Sequence, residues 1–174
     1  MRRNICLIGY MGSGKSSVGR LIAARRGMRF ADTDEMIVER EGRSIPRIFE
    51  ESGEPCFRAL EYELMLSLSS DEAFENTVLA TGGGLPMSEA NRPLLKRTGT
   101  VIYLRAEADT LYERVGSDTG RPLLNTDDRL KKIEQMLRVR GPVYEEVADH
   151  IIDTDGMSKE DVAEKVLEIY SALV

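Results

Sequence analysis

Residues Gly9-Tyr10-Met11-Gly12-Ser13-Gly14-Lys15-Ser16 match the spacing G-x-x-x-x-G-K-[ST] at every fixed position and follow directly on the apolar run Ile5-Cys6-Leu7-Ile8. No other stretch constrains the fold as strongly. Backbone N–H groups that close around a di- or triphosphate need glycines at the tight turns and a helix N-terminus behind them, so strand, loop and helix must follow in that order. Gly12, Ser13 and Gly14 would line such a cradle, with Ser17 opening the helix behind it. Lys15 would reach the β- and γ-phosphates, and Ser16 would ligate a magnesium ion. The competing reading is a plain turn before a helix.

The remaining chain repeats the alternation that the loop begins. Apolar runs at Arg2–Ile8, Met28–Asp32, Thr77–Ala80, Thr100–Leu104 and His150–Asp153 predict five strands. Amphipathic spacing predicts helices over Lys15–Arg26, Asp34–Glu41, Ser44–Glu51, Cys56–Leu68, Ser88–Lys96 with Ser88 as its cap, Ala108–Val115, Arg129–Arg140 and Ser158–Leu173, with Pro142 opening a further short one. Short apolar strands alternating with helices mean an α/β fold: a five-stranded parallel sheet covered on both faces, in three layers. The pattern leaves the strand order open, but it puts a ligand outside the carboxyl ends of the strands, where the loops at Gly9, Asp32, Gly82 and Arg105 would meet. A chain of 174 residues suits a single domain. A net charge of -6 argues against general nucleic-acid or anionic-membrane binding, so any arginines that serve an anionic ligand must be gathered locally. Two cysteines make no disulfide framework, and neither a signal pattern nor an apolar run of spanning length is evident, which points to the cytoplasm.

Phosphoryl transfer requires positioning, magnesium and positive charge on the moving group, and candidates for each are present. Asp32 and Asp34 sit two apart past the second strand, so both can face one site: Asp32 as metal support and Asp34 to orient an acceptor hydroxyl and take its proton. Either aspartate could instead cap the helix that follows. Thr81-Gly82-Gly83-Gly84 after the third strand reads as backbone held close to a ligand, or else as a mobile loop. Arg58, with Glu61 three residues on to orient it, and Arg140, before Gly141-Pro142, could grip a carboxylate or phosphate in fork geometry, or form surface ion pairs. Arg121 follows the polar stretch Gly116-Ser117-Asp118-Thr119-Gly120 and precedes Pro122-Leu123-Leu124, the arrangement of a mobile lid with a cationic finger. His150, the single histidine, opens the fifth strand and reads as structural; one histidine and two separated cysteines make no zinc site.

In combination, GYMGSGKSSVGRLIA, FADTDEMIVEREGRSIPRIFEESGEPCFRALE, VLATGGGLP, EANRPLLKRTGTVIYL, GRPLL and RGPVYEEVAD resemble the shikimate kinase family from Asn4 to about Asp155. The resemblance implies a nucleoside-monophosphate-kinase-like fold with a substrate-binding helical region at about residues 33–61 and a lid at about 112–124. It also implies transfer of the ATP γ-phosphoryl group to the 3-hydroxyl of shikimate, the alternatives being another small-molecule P-loop kinase such as a gluconate kinase or a kinase-like binding protein without turnover; one magnesium ion per site and a monomer are expected. By position it assigns Asp34 to the reacting hydroxyl as base, and Arg58 and Arg140 to the carboxylate. Gly82–Gly84 become the backbone floor, Arg121 the lid arginine on the phosphates, Arg114 the partner of adenine, and Asp32 the metal support. Thr119 stands where the family often has lysine, Pro46 and Pro55 are less usual, and Glu89-Ala90-Asn91-Arg92 is offset from the common E-N-R.

Overall fold

The computed structural model describes residues 4–115 and 129–173. Its strands are β1 (Ile5–Ile8), β2 (Arg29–Asp32), β3 (Thr77–Ala80), β4 (Thr100–Arg105) and β5 (His150–Asp153), and all pairings are parallel, in the order β2-β3-β1-β4-β5. Alternation along the strands divides the core in two. Cys6, Ile8, Leu79, Val101 and Tyr103 face one side, whereas Ile5, Leu7, Val78, Ile102 and Leu104 face the other. Helices α1 (Lys15–Arg26) and α7 (Lys159–Leu173) cover the second face through Val18, Ile22, Val162 and Val166. The first face is covered by α2 (Thr33–Glu41), α3 (Ile45–Ser70), α4 (Asn91–Thr98), α5 (Ala108–Val115) and α6 (Arg129–Val147). Burial on both faces explains why the strands read as continuous apolar runs.

Helix ends follow local chemistry. Gly27 and Gly42 close α1 and α2 in the left-handed conformation, each donating its N–H back into the last turn. Ser158 and Asp161 cap α7 reciprocally: the Asp161 N–H donates to the Ser158 hydroxyl, and the Ser158 N–H to the Asp161 carboxylate. Along α3 the helical path breaks at Gly53 (φ 79°, ψ 169°), so Pro55 falls in the first turn of a second helical segment, where a missing N–H costs little. The break expected at Gly53-Glu54-Pro55 is therefore present, inside what otherwise runs as one element.

Two expectations are corrected. Ser88 caps no helix: Leu85–Met87 form a 3-10 turn, and α4 begins only at Asn91, whose buried side-chain amide donates to the Leu85 carbonyl. The helix from Arg129 does not end at Arg140 with a new one at Pro142; α6 runs unbroken to Val147 with Pro142 inside it. Anchoring explains this continuity. Ile133, Tyr144 and Val147 are all buried on the same core, which outweighs one lost intrahelical hydrogen bond. Neither Cys6 nor Cys56 is in a disulfide. Among the described residues no helix is long and apolar enough to cross a membrane.

Candidate active site

The loop after β1 lies over the carboxyl end of the sheet and leads straight into α1. Gly12 has φ 80°, and a Cβ there would run into Val115 at the end of α5, so both conformation and space require glycine. Lys15 is almost wholly buried. Its ammonium donates to the carbonyls of Gly9 and Tyr10, each at 2.9 Å, which holds the charge directly beneath the loop.

The chain around β2 ties three parts of the site together. Asp32 ends the strand as the N-cap of α2, accepting from the Asp34 N–H through Oδ1 at 3.0 Å and from the Ser16 hydroxyl through Oδ2 at 2.7 Å. Asp32 is thus the helix cap, with its second carboxylate oxygen engaged by Ser16. Thr33, fully buried, accepts the Gly82 N–H at 2.9 Å, fixing the start of the glycine run against α2. Nothing in its type singled Thr33 out; its place between two aspartates at a helix start is the one available signal.

The glycine run is where the remaining candidates meet. A Cβ on Gly82 would lie 2.5 Å from Asp34 Oδ1 and 3.3 Å from Glu61 Oε1. On Gly84 it would lie 2.5 Å from Arg58 Nη1, and on Gly83 3.7 Å from Arg140 Nη1 and 3.4 Å from the Gly9 carbonyl. Glycines are needed because four functional side chains and the phosphate loop crowd against them. Gly82 has its N–H engaged by Thr33, so the backbone donors left to a ligand are those of Gly83 and Gly84. Arg58 is held in a fork, with Nη1 on Glu61 Oε2 at 2.7 Å and Nε and Nη2 on Glu54 Oε1 at 3.1 and 2.9 Å. Glu61 is the buried partner: burial pushes its carboxyl up to about 7 against the pull of Arg58, and Oε1 has no hydrogen-bond partner among the described residues.

Arg140 approaches from α6, with its guanidinium 5.9 Å from the ring centre of Tyr10. One turn on, the buried Tyr144 hydroxyl donates to the Gly83 carbonyl at 2.6 Å; burial raises the Tyr144 pKa and Arg140 opposes the rise. Arg114 is pinned to Thr154 through Oγ1 at 3.1 Å and the backbone carbonyl at 2.8 Å, beside the turn where Val115 meets Gly12. His150 starts β5 at the opposite end of the sheet, in register with Ile102, and takes no part. Arg121, with residues 116–124 of the expected lid, lies outside the described residues; 112–115 form the last turn of α5.

The donor set fits a magnesium ion. The Ser16 hydroxyl and Asp32 carboxylate are hard oxygens in mutual contact at a helix N-terminus, the sparse protein share that magnesium takes when phosphates and water complete its shell.

The sequence model of the family described as shikimate kinase matches residues 11–171. The chain belongs to the shikimate kinase family. A shikimate kinase of Methylococcus capsulatus is 43% identical over 97% of this chain and 93% of its own. Among solved structures, shikimate kinase from Acinetobacter baumannii in complex with shikimate superposes with a TM-score of 0.89 at 38% identity, covering 98% of this chain and 93% of that one. A gluconokinase from Sinorhizobium meliloti superposes at 0.58 with 18% identity, over 99% of this chain and 93% of its own, and shares the fold alone. The separation between these two places the chain among shikimate kinases within a wider fold group.

Proposed function

We propose that this chain transfers the γ-phosphoryl group of ATP to the 3-hydroxyl of shikimate, giving ADP and shikimate 3-phosphate on the route to chorismate. The observation that carries this reading is the convergence of Asp34, Arg58 and Arg140, from three different helices, on Gly82–Gly84 opposite the phosphate loop. That arrangement offers one carboxylate and two guanidinium groups to an acceptor that bears a hydroxyl and an anion. Arg58 and Arg140 grip the carboxylate, and the N–H groups of Gly83 and Gly84 line the floor. Asp34 orients the 3-hydroxyl and takes its proton as the oxygen bonds to the γ-phosphorus and the bond to the β-phosphate oxygen breaks. Gly12, Ser13, Gly14, Lys15, Ser16 and Ser17 cradle the phosphates, Arg114 borders the adenine, and the family resemblance assigns Arg121, outside the described residues, to the phosphates. Ser16 and Asp32 would hold a magnesium ion, which when bound would supply positive charge against the phosphates.

The enzyme works as a single domain with a substrate region at about 33–61 and a lid at about 112–124, as a monomer needing neither nucleic acid nor membrane. Cysteines without a disulfide at positions 6 and 56 suit a reducing cytoplasm. A coupled assay with ATP and magnesium tests the reading: ADP is released with shikimate and not with gluconate. Absence of ADP release with shikimate overturns it.

A further inference from the structure

The floor of the acceptor site is built from the residues least able to hold a shape. Gly82, Gly83 and Gly84 have no side chains to restrict their backbone, so their conformation must be imposed from outside. Two side chains do this from opposite sides. Thr33, at the start of α2, accepts the Gly82 N–H, and Tyr144, in α6, donates to the Gly83 carbonyl. Tyr144 is fully buried, with its ring packed against Tyr103 at 5.0 Å between centres. A phenylalanine would supply the same apolar contact without a hydroxyl that has to be desolvated. The hydroxyl instead donates to the Gly83 carbonyl and accepts from the Arg140 guanidinium.

We propose that Tyr144 is a positioning residue for the acceptor: by drawing the Gly83 carbonyl towards α6 it turns the Gly84 N–H towards the acceptor and locks the Arg140 face of α6 to the floor. The first part follows from planarity, since the carbonyl of one residue and the N–H of the next point in opposite directions across a trans peptide. That Gly84 N–H has no acceptor among the described residues. The second part follows from helical spacing. Met136, Arg140 and Tyr144 lie four apart on one stripe of α6. Met136 receives the Tyr10 hydroxyl of the phosphate loop at 3.3 Å, and Tyr144 grips the floor, so the stripe joins the nucleotide side to the acceptor side with Arg140 between them.

The inference rests on the reading of Gly84 and Arg140 as shikimate contacts. It is tested by Tyr144→Phe, which keeps the ring and removes the hydroxyl's bond to the Gly83 carbonyl together with its contact to Arg140. The expected result is a rise of about five- to twentyfold in KM for shikimate, against less than twofold for ATP, with kcat falling by less than KM rises. The Gly84 amide resonance in a nitrogen–proton NMR spectrum should move in the variant, and in the native chain it should move when shikimate is added. An unchanged shikimate KM in a folded Y144F chain, equal rises for both substrates, or a Gly84 amide that shikimate leaves in place each overturns the proposal. A native chain inactive on shikimate instead overturns the functional reading, and the Gly84 resonance in Y144F then decides the tether alone.

Discussion

Asp34 and Glu61 bring two carboxylates against one glycine, Gly82, in surroundings that treat them differently. Asp34 follows directly on the capped start of α2 with its Oδ1 against Gly82, and in the function proposed above it is the group that meets the acceptor hydroxyl. Asp34→Asn removes orientation and proton acceptance together; turnover should fall by about 100-fold or more while ATP binding, measured by titration calorimetry, is retained. Unaltered turnover would take Asp34 out of the chemistry. Glu61 is almost fully buried, and burial, with Asp34 adding to it, raises its carboxyl from 4.5 to about 7 despite Arg58. The fold therefore favours the neutral acid. Its contribution to stability is greatest below pH 4.5, is lost as pH rises from 4.5 to about 7, and changes no further above that. In Glu61→Gln this loss is absent, so the melting temperature of the native chain should drop relative to the variant by about 5 °C between pH 5 and pH 8. Parallel melting profiles would show that Glu61 keeps an ordinary carboxyl.

Between residues and the whole lie the loops that elements deliver to one point, and the glycine run after β3 is the most demanding of them. Gly84 sits at φ -86°, a conformation that alanine adopts freely, so Gly84→Ala isolates the effect of one methyl group on Arg58. The guanidinium must move aside, and the shikimate KM should rise by about tenfold with little change for ATP. A similar rise in both constants would mean that the loop itself had shifted. Local signals made much of this readable in the chain: the phosphate loop, the Asp32-Thr33-Asp34 turn, the glycines that stop α1 and α2, and the Arg58–Glu61 spacing all act within a few residues. What was not readable depends on distant packing. Pro142 ends no helix because Tyr144 and Val147 are anchored beyond it, and Ser88 is bypassed because a 3-10 turn comes first. Thr33 and Tyr144 carry no mark of their tasks, since each acts on a glycine far away in sequence. Strand order likewise follows from which faces pack, not from any one run of residues.

At the scale of the molecule, the sheet exposes two edges, β2 and β5, and both are strands of four residues. Charged groups border the β5 edge: Arg105 forms a two-point pair with Asp153 and reaches Glu145. Short, charged edges discourage strand pairing between copies. Sedimentation should therefore report one species of 19.5 kDa, and a dimer that persists on dilution would contradict this. The strand order also sets a timetable. β1, which carries the phosphate loop, is translated first, yet its two neighbours in the sheet are β3 and β4, and Arg140 and Tyr144 come later still. β1 therefore gains its first neighbour only with β3 at Thr77–Ala80 and its second only with β4 at Thr100–Arg105. The nascent protein carries its nucleotide loop before either neighbouring strand has been made, and the acceptor floor is clamped only once α6 has emerged.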